Sequence, residues 1–458
     1  MPDGALLWAP RAWLPTGWRE HVLLRVGRDG RWTEIAPDVT PAPDDSTVLR
    51  GPVLPGLVDA HSHAFQRAFA GHAERRESPI DDFWSWRDRM YRVALRITPA
   101  QLRAIAAQLY VELLKGGYTQ VCEFHYLQHD VDGRPYDDPL EMSWALADAA
   151  AESGIGLTLL PVLYERAGFD SALRDDQRRF RTSVESVCQA AGDIAAMCRP
   201  HVNAGLAIHS LRAAMPESIG ELRRRAESFG GPIHIHVAEQ TAEVEECLRR
   251  TGARPIEWLA KEGLLDARWQ LVHATHTAPG EIEAVARSGA GVVLCPSTEA
   301  NLGDGLADLR GWLAANVPIS IGSDSHVTRD WREELRWLEY GQRLVLRQRN
   351  VSAAPQAGMA STAERLFSRA SDGGVAAMGE AARGMVVGAR ADALVVDTRD
   401  DALLGLASGL TLDALLFSSP GLPWRDVMVA GYWTIRDHRH AHAGAIARRF
   451  EAAMHELG

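Results

Sequence analysis

The chain has 458 residues, 46% of them hydrophobic and 24% charged, and a formal net charge of −11. That balance describes one large or two unequal globular domains, and an acidic surplus without any basic run argues against a nucleic-acid partner. No uninterrupted apolar segment approaches the roughly 20 residues of a membrane span, so no membrane partner is expected.

The N-terminal stretch MPDGALLWAPRAWLP interrupts its apolar run with Pro10, Arg11 and Pro15, and no signal peptide is expected from it. The five cysteines are scattered, odd in number and without a CxxC pair, which fits buried free thiols in a reducing cytoplasm. Residues 1–52 read as short strands and turns, and the alternation over His21–Ile35 around Gly27 and Gly30 predicts a hairpin. Such a segment buries little by itself. Met385–Thr398 and Val427–Thr434 offer similar strands, so both chain ends are expected to form one small β-sandwich domain, 1–52 with 384–445, and 446–458 a C-terminal helix or tail.

Between them, over 53–383, apolar strands alternate with amphipathic stretches. Strands are expected at Val53–Val58, Thr119–Tyr126, Ile155–Leu163, Ala204–His209, Ile233–Val237, Gln270–His273, Gly291–Leu294 and Ile319–Gly322. Helices are expected at Pro99–Lys115, Pro139–Ser153, Glu217–Ser228, Ala242–Thr251, Pro255–Glu262, Pro279–Arg287, Trp331–Leu346 and Ala360–Arg369. Strands alternating with helices imply a parallel sheet, and eight of them predict an α/β fold closed as a (β/α)8 TIM barrel. A doubly wound open sheet is the alternative, although no glycine-rich phosphate fingerprint follows the first strand.

In such a barrel the site lies where the strands end, so those ends can be read as an inventory. The first offers His61 and His63, two apart on a strand and therefore facing the same way. Others offer Glu123, His125 and Tyr126; His209 and Arg212; His234, His236 and Glu239; His273 and His276; Asp324, Ser325 and His326. A hydrolytic metal centre needs three or four ligands, a position for water and a proton carrier. His61, His63, His236 and Asp324 can be the ligands, Glu239 the general base and acid, and His273 a group that orients the nucleophile or stabilises charge. Taken singly, His234 is as well explained by filling a barrel layer, His276 and His326 read as loop histidines, and Glu123 as a structural carboxylate.

PGLVDAHSHAFQRA, HIHVAEQ, LVHATHT and IGSDSHV together resemble the amidohydrolase superfamily, in its mononuclear deaminase branch. HSHAFQR, FWSWRDRMY at Phe83–Tyr91 and EFHYLQHD at Glu123–Asp130 are similar, more closely, to the formimidoylglutamate deiminase family. That family hydrolyses N-formimino-L-glutamate to N-formyl-L-glutamate and ammonia in histidine breakdown. The resemblance implies zinc held by His61, His63, His236 and Asp324, Glu239 as proton shuttle and His273 as polarising partner. It implies Gln66, Arg87, Tyr126, His209 and Arg212 as residues holding the substrate, whose two carboxylates suit arginine forks. Binuclear relatives are bridged by a lysine at the end of strand four. The only lysines here, Lys115 and Lys261, lie elsewhere, which implies one zinc per subunit. A homodimer in the cytoplasm is the family expectation. The alternatives are another deaminase of the branch, acting on a nucleobase, nucleoside or triazine, or a non-catalytic scaffold of the same fold.

Overall fold

The computed structural model describes residues 4–76 and 82–458. Of the N-terminal stretch read for a leader, residues 1–3 lie outside the described residues, as do 77–81 of the loop between the first barrel strand and the helix Pro99–Lys115.

Eight parallel strands close into a barrel: Leu57–Ser62, Tyr118–His125, Gly156–Leu163, Leu206–Ser210, Ile233–Val237, Trp269–His273, Gly291–Leu294 and Ile319–Ile321. They are called the first to eighth strands below. The ring closes where Ile321 of the eighth pairs with Asp59 of the first. Most of these strands are buried on both faces, and their sequences are accordingly almost continuously apolar. The helix Pro99–Lys115 starts on Thr98, whose side chain accepts from Gln101 N, with Pro99 at its first position. The helices Glu141–Ser153, Pro216–Phe229 and Thr241–Thr251 stop on left-handed Gly154, Gly230 and Gly252.

The strand expected over Val53–Val58 is two. Pro55 and Gly56 break it, so that Val53–Leu54 pairs with Leu6–Leu14 and Ala393–Val396 while Leu57–Ser62 enters the barrel. The chain ends form one mixed nine-stranded sheet, which includes the expected hairpin Gly17–Val26 with Trp32–Ala36 and the C-terminal strands Trp424–Val429 and Tyr432–Arg436. Its inner face has its own core of Leu7, Leu24, Trp32, Ala391 and Met428. The helix expected over Ala360–Arg369 runs much further, as Thr362–Met378. All five cysteines are free, but only Cys122, Cys247 and Cys295 are buried; Cys198 is exposed. No helix among the described residues is long and apolar enough to cross a membrane.

Candidate active site

Three imidazoles and a carboxylate meet at the C-terminal mouth of the barrel. His61 Nε2 lies 3.1 Å from His63 Nε2 and 3.0 Å from His236 Nε2. Asp324 Oδ1 lies 3.5 Å from His61 Nε2 and 3.3 Å from His63 Nε2. Tetrahedral zinc with bonds of about 2.0–2.1 Å separates its nitrogen ligands by about 3.3–3.4 Å, close to what these atoms show. Burial drives the pKa of all three rings down, that of His61 to about 3, so they are neutral and present lone pairs to one another. The His63 ring is fixed by its Nδ1–H, which donates to Phe124 O at 2.9 Å and leaves Nε2 for a ligand. Burial works against ionising Asp324, but the contact with His61 and the positive charge on His273 hold its carboxyl well below its usual range. Converging lone pairs and an ionised carboxylate repel one another unless a cation lies among them. The donor set, three nitrogens and one oxygen, fits zinc.

Backbone conformation aims these groups. Asp324 (φ 44°), His273 (φ 69°) and Ala238 (φ 53°), the residue before Glu239, are all left-handed without being glycine. Non-glycine residues persist in that region only where their surroundings enforce it, and such positions cluster at functional sites. Asp324 N donates to His61 O at 2.9 Å, pinning the eighth strand's end to the first.

Beside the cluster, Glu239 and His273 face each other with Oε1 and Nε2 3.7 Å apart, and His273 Nε2 lies 4.0 Å from Asp324 Oδ2. Burial raises the Glu239 carboxyl to about 7, against the pull of His273 and Arg212. For His273 burial acts downward, but the carboxylates of Glu239, Glu299 and Asp324 overcome it and raise the imidazole to about 10. The pair therefore offers a carboxyl close to neutrality next to a protonated ring.

A cavity opens over the cluster. Ten of the eleven residues expected at the site line it: His63, Gln66, Arg87, Tyr126, His209, Arg212, His236, Glu239, His273 and Asp324. His61 sits fully buried behind them. Arg87 comes from the helix Phe83–Ala94, its guanidinium 4.7 Å over the Trp84 ring and 5.5 Å over that of Tyr91. Arg212 follows the fourth strand and places NH2 3.8 Å from Glu239 Oε2. Gln66 Nε2 donates to Tyr126 Oη at 3.3 Å, and the His209 ring packs 4.5 Å from that of Tyr164.

The other polar candidates fall outside this cavity. His234 Nε2 meets Ala377 O at 2.8 Å, deeper in the barrel, and Glu123 accepts from Ser62 Oγ, Ala64 N and Tyr110 Oη as a structural carboxylate. His326 lies in the turn after the eighth strand, as expected of a loop histidine, but it is buried, with Nδ1 3.0 Å from Ser323 Oγ and Nε2 3.0 Å from His63 O, bracing the backbone around His63 and Asp324. Reading strand ends missed Tyr91, Tyr164 and Trp86, which also line the cavity. The signal for two of them was present in the arginine-bearing WSWRDRMY segment, but Tyr164 carries no pattern of its own.

A closed barrel with a histidine–aspartate cluster at its C-terminal mouth and a carboxyl beside it defines a metal-dependent hydrolase. The chain belongs to the amidohydrolase family, which matches it over residues 53–434. It is 46% identical over 453 residues to the formimidoylglutamate deiminase of Pseudomonas aeruginosa, covering 98% of this chain and 99% of that one. It is 30% identical over 410 residues to a 5-methylthioadenosine/S-adenosylhomocysteine deaminase of Natronomonas pharaonis, covering 88% and 86%. The crystal structure of an amidohydrolase from Brucella melitensis superposes with a TM-score of 0.93 at 40% identity, over 99% of both chains.

Proposed function

We propose that this chain hydrolyses N-formimino-L-glutamate to N-formyl-L-glutamate and ammonia, as a cytoplasmic homodimer with one zinc ion per subunit. The observation that carries the substrate assignment is a pair of cations with unused donors. Arg87 Nε and Arg212 Nε are both buried and have no hydrogen-bond partner among the described residues, and both residues line the cavity over the histidine cluster. Buried guanidinium donors left unpaired are costly, and carboxylates are their natural complement. A nucleobase or nucleoside offers them only neutral acceptors, with no carboxylate to match their charge. The 46% identity to a formimidoylglutamate deiminase supports the same substrate.

His61, His63, His236 and Asp324 would hold the metal. A zinc ion held there would supply Lewis acidity and make water nucleophilic near neutral pH. The remaining steps belong to the side chains. Arg87 and Arg212, aided by Gln66, Tyr126 and His209, hold the carboxylates and aim the formimino carbon at the cluster. Glu239 removes a proton from the attacking water and returns it to the terminal nitrogen. His273 donates toward charge that builds up as the carbon becomes tetrahedral. Collapse of the adduct, as its hydroxyl proton passes to the amino nitrogen, expels ammonia and leaves the formyl amide. Lys115 closes the helix Pro99–Lys115 and Lys261 pairs with Glu257 in the helix Pro255–Lys261, so neither takes the place of the bridging lysine of binuclear relatives, which supports a single metal.

The test is ammonia release from N-formimino-L-glutamate against a panel of guanine, adenosine and 5-methylthioadenosine, with metal content and sedimentation measured on the same preparation. Turnover of the linear diacid alone, about one zinc per chain and a dimer are expected. Turnover confined to the ring substrates would reject the assignment.

A further inference from the structure

Arg87 and Arg212 are two of the anion-binding groups in the cavity; the phenols beside them form a chain whose direction can be worked out. Gln177 is fully buried, in the turn Asp175–Phe180. Its Oε1 accepts from Arg174 N at 3.1 Å, which fixes the amide and turns Nε2 toward Tyr164, where it donates to Oη at 2.9 Å. Tyr164 Oη lies 3.2 Å from Tyr91 Oη. An amide nitrogen only donates, whereas a phenol donates one hydrogen and accepts. Hydrogen bonds running in one direction polarise and strengthen one another. With its oxygen already accepting from Gln177, Tyr164 keeps its own hydrogen for Tyr91, which is the polarity in which the two bonds reinforce each other. Tyr91 is then left with its own hydroxyl hydrogen and, among the described residues, no second partner for it. Both tyrosines are 3% exposed, and both line the cavity with Arg87 and Arg212. The Arg87 guanidinium lies 5.5 Å over the Tyr91 ring itself.

We propose that Tyr91 is a further substrate-binding residue, donating its hydroxyl hydrogen to a carboxylate oxygen held between Arg87 and Arg212, and that Gln177 is a positioning residue that sets this polarity through Tyr164. The inference rests on the diacid reading of the cavity and adds the residues that make its anion site directional. An isolated phenol would rotate to accept from an alcohol or amide as readily as donate to a carboxylate. The buried chain removes that freedom, so the site favours an anionic oxygen over an amide isostere.

The experiment uses the zinc-loaded protein, with glutarate binding by calorimetry read beside KM and kcat for N-formimino-L-glutamate. Tyr91→Phe deletes the donor and keeps the ring. It should weaken glutarate binding and raise KM by about tenfold or more, the scale of a hydrogen bond to a charged group, with kcat held within about twofold. Gln177→Glu reverses the chain, because a carboxylate accepts from Tyr164 and draws the Tyr91 hydrogen away from the cavity. It should weaken glutarate to a similar degree, and the double variant should be no worse than Tyr91→Phe alone. Tyr164→Phe frees Tyr91 to turn and should cost less than Tyr91→Phe, which keeps the test open if Gln177→Glu does not fold. Unchanged glutarate affinity in Tyr91→Phe, full additivity in the double variant, or a larger loss in Tyr164→Phe would each overturn the inference. Failure of the wild type to release ammonia from the diacid would instead overturn the proposed function, and the glutarate arm reads separately from it.

Discussion

His63 is committed at both of its nitrogens before any ligand is considered: one donates to Phe124 O, and the other faces His61 and Asp324. Glu239 differs in that its carboxyl touches charge on two sides and is held by neither, with His273 at 3.7 Å and Arg212 at 3.8 Å. The proton shuttling proposed for Glu239 needs that freedom. Glu239→Gln keeps the size and removes the proton traffic, so kcat should fall by about 10²–10⁴ while zinc content stays at the wild-type ratio. Near-normal turnover, or loss of the metal with the activity, would remove Glu239 from its role. At this scale the sequence was legible wherever chemistry follows spacing. His61 and His63 share a face because strands have a period of two, and His236 with Glu239 and Asp324 with its flanking Ser323 and Ser325 end apolar runs. His326 and Tyr164 were opaque for the opposite reason. What they do depends on partners 263 and 13 residues away, His63 and Gln177, and no local pattern announces either.

Elements were legible to the extent that their breaks were intrinsic. Pro55 and Gly56 should have divided the strand expected over Val53–Val58, since proline cannot extend the ladder and its neighbour is constrained. The helix Thr362–Met378 shows the reverse: expected to end at Arg369, it continues through the Gly373–Gly374 pair. A Cβ on Gly373 would come within 2.0 Å of Ile319 O, and one on Gly374 within 2.8 Å of Val58. These glycines let the helix lie against the eighth and first strands, the two that carry Asp324 and the paired imidazoles. Propensity alone says that Gly373→Ala stabilises the helix by about 1 kcal/mol. The close approach says that it overpacks and costs about 1–3 kcal/mol, with the strand ends displaced. The second effect should win. Urea unfolding should show a lower midpoint, and zinc should be lost at lower chelator concentration than from the wild type. A raised midpoint would show that the helix can lift off the barrel without penalty.

The whole molecule is tied together at the end of the barrel away from the site. Asp392, just before the strand Ala393–Val396, accepts from Thr119 Oγ1 at 2.8 Å and from Ala430 N at 2.9 Å, and pairs with Arg390 at 2.7 Å and Arg383 at 3.1 Å. Arg383 in turn donates to Gly56 O and Leu57 O, where the first strand begins, and Arg390 donates to Thr119 O in the second. One carboxylate thus clamps the sheet of the chain ends onto two barrel strands. Replacing it with a neutral isostere leaves two arginines facing each other, one of them fully enclosed, and breaking such a buried pair costs about 3–5 kcal/mol. Asp392→Asn should therefore lower the urea midpoint strongly at pH 7, while kcat/KM of the folded protein changes little, because the clamp is remote from the cavity. The pH dependence separates charge from shape. Burial disfavours the Asp392 anion, but Arg390 and Arg383 prevail and hold its carboxyl below the usual value of 3.8. A carboxyl depressed in the folded state contributes its full stability above the unfolded value, about 3.9, and loses it as the pH falls through the folded one. The gap between wild type and Asp392→Asn should therefore stay constant from pH 7 to about 5 and narrow only below about 4. A gap that closes already near neutrality, or one that persists undiminished in acid, would mean that the packing of the Asp392 side chain, and not its charge, joins the sheet to the barrel.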